Sequence, residues 1–257
     1  MKFSISMFFF LATLFFPVSM RAEPNTDLAA QLRQILKNNP EIVLEALRDN
    51  SEAVLDIVQQ GSDLRRGRAL HRQWEEDAKT PKSVNLEARP SRGPANAPVT
   101  LVAFSDFTCG YCQQAAFTIE QLLRRYPSQI RYVFKQLPAN DSAMLGSRWF
   151  LAAMKQDEAK AWTLFAIIFD SQSELSADPL ALLRKAAAEA GLNVAQLEKD
   201  LQTNATAYAK ILTQDSEDAK ALGFNGTPYF LINNLVVRGA IQLDNFVDAV
   251  EFALRVK

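Results

Sequence analysis

Cys109 and Cys112 are the only cysteines in the 257 residues, and they stand as Cys109-Gly110-Tyr111-Cys112. A pair at this spacing fits three chemistries: half of a zinc site, an inert structural disulfide, or a dithiol that cycles between thiol and disulfide. Zinc wants about four ligands, and here there is no second cysteine pair, while the sole histidine, His71, lies in another segment. A disulfide closing so short a loop removes little chain entropy from the unfolded state, so its structural value is small. Thiol–disulfide exchange is the reading that remains, and it needs a thiolate held ionised and within reach. On that reading the site takes no metal and no cofactor beyond the redox-active pair Cys109–Cys112 itself.

The flanking residues supply such a setting. Val99 to Phe104 is β-branched and apolar, as a buried parallel strand is. From Cys112 the stretch Gln113 to Leu123 has helical periodicity. Cys109 is therefore expected at the strand-to-helix junction, near the N-cap, where free backbone N–H groups and the helix dipole favour a thiolate. Cys112 falls one turn further in, at a buried position. Two charged residues are candidates for influence but stay outside the catalytic set. Asp106, three residues before Cys109, would oppose a thiolate if close and is otherwise a solvated loop carboxylate. Lys135 reads as a surface lysine on a neighbouring strand.

The amino terminus places the chain in an exported compartment. Lys2 precedes an apolar run from Phe3 to Phe16, and Pro17 to Ala22 ends on a small residue before Glu23. A bilayer-spanning helix needs about 20 apolar residues, and this run is shorter, so residues 1–22 read as a signal peptide cleaved after Ala22. The expected location is the periplasm, with association with the envelope also open. An exported chain with one vicinal cysteine pair lacks the several pairs of a disulfide scaffold. A net charge of −1 gives no reason to expect nucleic acid as a partner.

Residues 23–79 read as a helical segment. Leu28, Leu32, Ile35 and Leu36 form one apolar stripe; Asn39-Pro40-Glu41 has the form of an N-cap, a proline at N1 and an acidic first turn. Ile42 to Leu47 and Val54 to Val58 add further stripes, and Asp63 to Lys79 continues as a charged helix in which His71 is expected on a solvated face. Stripes this exposed are a liability unless covered, so the segment is expected to make a homo-oligomer, a symmetric dimer by default. Residues 80–98 carry five prolines and glycines in a linker, with Ser83 to Glu87 as a possible first edge strand.

Beyond the dithiol, Ile130 to Lys135 alternates as a strand and closes a β-α-β unit. From Asp141 to Leu222 the pattern is helical, with Asp178-Pro179 opening one helix and Asn193 beginning the stretch that ends at Gly223. Its aromatic residues read as core packing against the sheet. Tyr229 to Ile232 and Leu235 to Arg238 form a hairpin about Asn233-Asn234, since asparagine tolerates positive φ. Leu243 to Arg255 is a last amphipathic helix. Gly226-Thr227-Pro228 stands just before the hairpin.

Cys109-Gly110-Tyr111-Cys112, the downstream Gly226-Thr227-Pro228 and the helical block between them resemble the DsbA family of exported thiol:disulfide oxidoreductases, over about Val84 to Lys257. The run Gly93-Pro94-Ala95-Asn96-Ala97-Pro98-Val99 is similar to the lead-in of many members. The resemblance implies an α/β thioredoxin fold over residues 99–257 with an inserted α-helical domain at about 140–222. It also implies a cis Thr227–Pro228 bond facing the dithiol, and Gly110, Tyr111, Thr227 and Pro228 as the substrate-facing loop around catalytic Cys109 and Cys112. The N-terminal segment departs from the minimal monomeric member and looks like the extension of oligomeric DsbA-like proteins. Gly110-Tyr111 also departs from the Pro-His of the strongest oxidant, and together with Thr227 is similar to the disulfide isomerase DsbC, which implies a weaker oxidant. The expected activity is introduction, and possibly isomerisation, of disulfides in unfolded or misoxidised exported proteins, with a membrane redox partner. The alternatives are a dedicated isomerase or reductase kept reduced by that partner, and a non-redox holdase chaperone.

Overall fold

The structure, a computed structural model, describes residues 26–256; the expected signal segment 1–22 lies outside them. It divides between Arg66 and Gly67 into two units. The first carries α1 (Thr26–Asn38), α2 (Pro40–Asp49) and the opening turns of α3 (Ser51–Lys79), whose remaining turns belong to the second. Asn39 occupies the N-cap position of α2, but its Nδ2 donates to the Ile35 carbonyl at 2.8 Å, so it closes α1 instead of capping α2. No residue of α2 is buried. Apart from half-buried Val54, the apolar stripes of this unit stand in solvent, from 37% exposure at Leu36 to 68% at Ile57.

The second unit is built on a five-stranded sheet of order β1-β3-β2-β4-β5. Its strands are β1 (Ser91–Arg92), β2 (Val99–Ser105), β3 (Ile130–Gln136), β4 (Tyr229–Ile232) and β5 (Leu235–Arg238). β2 and β3 run parallel, with Ser105 beside Gln136 at their carboxyl ends, and β1, β4 and β5 join antiparallel. Helix α4 (Gly110–Arg125) makes the crossover between β2 and β3. The helical insertion comprises α5 (Asp141–Gln156), α6 (Glu158–Asp170), α7 (Gln172–Ala177), α8 (Pro179–Glu189), α9 (Val194–Thr203) and α10 (Ala205–Ala221), and α11 (Leu243–Arg255) ends the chain. This is a thioredoxin fold with an inserted α-helical domain. Its helix starts follow local chemistry: Asn140, Asp157, Asp178 and Asn193 each accept a backbone N–H from the first turn that follows. The stretch from Asn193 is two helices, not one, broken at Asn204.

Alternation along the strands sends residues to two cores. Leu101, Ala103, Tyr132 and Phe134 face α4, α11 and the insertion, while Val102, Phe104 and Val133 face the end of α10 and Phe224. The insertion docks through aromatic rings, with Phe134 4.9 Å from Phe165 and Phe107 4.9 Å from Phe169. At the hairpin, Asn233 has φ of 51° and exchanges hydrogen bonds with Thr100, its Oδ1 accepting the Thr100 N–H at 2.8 Å. Gly93, at φ of 89°, leaves no room for a side chain, because a Cβ there would lie 2.2 Å from the Ile130 carbonyl oxygen.

Three expectations are corrected. The edge strand is Ser91–Arg92 and not Ser83 to Glu87, because the Asn85 N–H and carbonyl are taken by Asp218 and Lys135. His71 is only partly solvated: its side chain keeps 39% exposure, but its Nε2 lies 2.6 Å from Asp248 Oδ2 on α11, and its ring packs on Trp74 and Phe252. Burying Trp74 turns this face of α3 onto α11. Lys135 is not on the surface; it is fully buried and paired with Asp215 at 2.8 Å and Asp218 at 2.7 Å. The same face of α3 blunts the outer edge of the sheet, since Gln73 and Asp77 bond the carbonyl and N–H of Val236 on β5.

Candidate active site

Cys109 is the N-cap of α4, with extended backbone at φ −86° and ψ 120°. Its carbonyl starts the helix by accepting the N–H groups of Cys112 at 3.0 Å and Gln113 at 3.1 Å. The first turn holds no acidic residue, so nothing there opposes the positive end of the helix dipole. The two cysteines are present as the free dithiol; Cys109 is half-buried and Cys112 is buried. The Cys109 Sγ donates to the Thr227 carbonyl at 3.6 Å, and the Thr227–Pro228 bond is cis. The structure thus brings Cys109, Cys112 and Thr227-Pro228 together from β2–α4 and from the start of β4. Gly110 stands in open space, and Tyr111 is 66% exposed two residues on from Cys109.

The two sulfurs sit in different surroundings. Burial pushes the Cys112 thiol up to about 12, against hydrogen bonds from the Ser105 and Thr227 side chains and the Asp106 backbone N–H. That N–H lies 3.4 Å from Cys112 Sγ. Desolvation wins, so Cys112 is a neutral thiol at ordinary pH.

Asp106 is buried, not solvated, and its carboxylate is committed to the loop. One oxygen accepts the Thr108 N–H at 2.6 Å and the Thr108 hydroxyl at 2.7 Å; the other accepts the Ala139 N–H at 2.7 Å. It braces the loop before α4 against the start of the insertion, a role hidden in a sequence where Ala139 is far away. Phe107, fully buried, anchors the same loop in the aromatic core of the insertion.

Ser105 and Gln136, which no motif marks, lie side by side behind Cys112. Ser105 bonds the Cys112 sulfur. Gln136, on the same sheet face by register with Ser105, is 1% exposed, and neither end of its amide makes a hydrogen bond. An unpaired buried amide is destabilising by roughly 1–3 kcal/mol. Gln136→Leu is therefore expected to raise stability by about that much, read as a higher urea midpoint at unchanged slope; a lower midpoint would show that the amide is satisfied.

The model of the family described as thioredoxin matches residues 85–251. The chain belongs to the thioredoxin family. A solved relative within this fold, a thioredoxin-like oxidoreductase from Silicibacter pomeroyi, is 26% identical, with 66% of this chain and 94% of that one covered at a TM-score of 0.57. The thiol-disulfide exchange protein alpha-DsbA2 from Wolbachia pipientis is 21% identical and shares the fold, covering 72% of this chain and 94% of that one at a TM-score of 0.60. Among curated proteins, the Na(+)/H(+) antiporter NhaA 1 of Mycolicibacterium vanbaalenii is 28% identical over 167 residues, which is 64% of this chain and 26% of the antiporter. The thioredoxin-family chain thus spans about a quarter of the length of the curated relatives it matches. Among the described residues no helix is long and apolar enough to cross a membrane.

Proposed function

We propose that the protein is an exported, periplasmic thiol:disulfide oxidoreductase that introduces disulfides into unfolded proteins through Cys109 and Cys112. The observation that carries this reading is the asymmetry of the pair: one half-buried sulfur at a helix N-cap against the Thr227 carbonyl, and one buried sulfur kept as a thiol. From the disulfide state, a substrate thiolate attacks Cys109 Sγ, the Cys109–Cys112 bond breaks, and its electron pair goes to Cys112, which takes up a proton. A second substrate thiolate then attacks the substrate sulfur of the mixed disulfide. Cys109 leaves as a thiolate facing the α4 N-terminus, and two electrons have passed from substrate to enzyme. Tyr111 and the Thr227-Pro228 segment flank the half-buried Cys109 sulfur and form the surface an extended substrate meets. A membrane redox partner reoxidises the dithiol, and the uncovered stripes of α1, α2 and α3 join copies of the chain into a homodimer.

A second reading is disulfide isomerase, for which the exposed N-terminal stripes speak, since an oligomer holds two or more dithiols around a shared space. Reactivation of ribonuclease separates the readings. An oxidase speeds recovery of the reduced enzyme; an isomerase speeds recovery of the scrambled one to a similar degree. If neither is faster than in glutathione buffer alone, the proposed activity is wrong and the holdase reading takes its place.

A further inference from the structure

Two glutamines tie the insertion to the redox loop in opposite directions. Gln113, in the opening turns of α4, sends its Nε2 to the Phe169 carbonyl at the end of α6, 2.5 Å away. Gln172, the first residue of α7, sends its Nε2 back to two loop carbonyls, Phe107 at 2.9 Å and Cys109 at 3.0 Å. Both partners of Gln172 are acceptors only, so the nitrogen must be the end that faces them; a flipped amide would set its oxygen against two carbonyl oxygens.

These carbonyls lie on either side of Thr108, whose N–H and hydroxyl are held by Asp106. Asp106 therefore fixes the donors of the loop and Gln172 fixes its acceptors. The Cys109 carbonyl already receives the two N–H groups that open α4, and Gln172 is its third donor. Donors converging on the peptide of the N-cap residue bring positive charge to the end of the helix where a Cys109 thiolate forms. The disulfide state carries no such charge, so the donors act on one redox state more than on the other.

We propose that Gln172 is a positioning residue that sets the redox balance of the Cys109–Cys112 pair, holding the N-cap peptide of Cys109 and favouring the dithiol over the disulfide. This rests on the oxidoreductase reading above. The equilibrium concerned takes the disulfide and two glutathione thiols to the Cys109–Cys112 dithiol and one oxidised glutathione. Removing the two donors weakens the thiolate and shifts that equilibrium toward the protein disulfide.

The test is the equilibrium constant with glutathione for the full chain, measured for wild type, Gln172→Ala, Gln172→Glu and Gln113→Ala. Gln172→Ala is expected to lower the constant for reduction about threefold. Gln172→Glu, which keeps the shape but sets a carboxylate on two carbonyls, is expected to lower it about tenfold, on the order of 30 mV. Gln113→Ala, which cuts the other tie without touching a loop carbonyl, is expected to leave it unchanged. A residue that only stabilises the fold supports both redox states equally, so its loss would lower the melting temperature without moving this constant. An unmoved constant in both Gln172 variants, or an equal shift in Gln113→Ala, overturns the proposal. If wild type itself does not equilibrate with glutathione, the oxidoreductase reading fails first, and that result is visible before any variant is compared.

Discussion

Cys109→Ala is expected to lose thiol–disulfide exchange down to the rate of the buffer, while Cys112→Ala still reacts once and then accumulates as a mixed disulfide with its substrate. The asymmetry follows from position. Cys109 is half-buried at the N-cap, so a substrate sulfur can reach it and the helix dipole supports its charge. Cys112 is 1% exposed and cannot be the sulfur first attacked. Non-reducing gels of the two variants mixed with a disulfide-bonded substrate check this, since the Cys109 thiolate of Cys112→Ala attacks that disulfide, releases one substrate thiol and stays joined to the other sulfur; a covalent adduct on Cys109→Ala and none on Cys112→Ala reverses the two roles. The pH dependence of the resolving step gives a second reading of the same asymmetry. In the mixed disulfide the Cys109 charge is gone, which removes one cause of the raised Cys112 value, but burial, the largest cause, stays. The thiol form of Cys112 thus still prevails at ordinary pH, and the reactive thiolate grows about tenfold per pH unit on the way up. Release of a trapped substrate by wild-type protein should therefore rise log-linearly from pH 7 to 9. A plateau starting near the ordinary thiol range, about 8.5, would mean that the buried sulfur ionises like a free one.

The parts of this molecule that were legible in its sequence are those whose cause is local. The apolar run Val99 to Phe104 reads as a buried strand because no polar side chain interrupts it, and it becomes the central β2. Asp178-Pro179 marks a helix start because capping and the fixed φ of proline act within one turn. Asn233-Asn234 marks the hairpin turn because asparagine can take positive φ, and Asn233 does. The pairing of Cys109-Gly110-Tyr111-Cys112 with Gly226-Thr227-Pro228 spans more than a hundred residues, and it was legible only through resemblance to a family. What stayed hidden are polar residues whose partners lie far along the chain. Lys135 alternates with apolar neighbours in β3 as a solvated lysine would, and only α10 supplies the carboxylates that bury it. Ser83 to Glu87 has strand-like composition, but its backbone groups are drawn to that same cluster. Gln172 has no signature at all, since a glutamine at a helix start says nothing about carbonyls in another element.

Lys135→Met is expected to cost about 3–5 kcal/mol at pH 7, the usual penalty for breaking a buried ion pair from one side. The loss is large against a total of roughly 5–15 kcal/mol for a domain. Arg89, Lys135, Asp215 and Asp218 balance two positive against two negative charges, with Arg89 Nε 2.6 Å from Asp215 and Lys135 bridging both carboxylates and the Asn85 carbonyl. Methionine matches the stem of lysine but leaves one carboxylate without its cation in the second core. Acid should then rescue the variant in part. In the native protein burial pushes Asp218 up, but Lys135, the Asn85 N–H and Gln214 together bring it below the ordinary carboxylate range. Its contribution is present above the unfolded value near 3.8 and is lost as pH falls through the lower folded value. Without Lys135 the chief opposing pull disappears and burial dominates, so Asp218 protonates more readily in the folded state and the deficit shrinks between pH 7 and 4. Urea denaturation of both proteins across that range measures it; a deficit under about 1 kcal/mol at pH 7, or one that grows on acidification, would show that solvent reaches the cluster. The consequence extends to the site, because Asp215 also accepts the N–H of Gln136 at 2.8 Å, and Gln136 sits beside the Ser105 that bonds Cys112. The buried charges on one face of the sheet thereby hold the strand end against which the Cys112 thiol rests on the other.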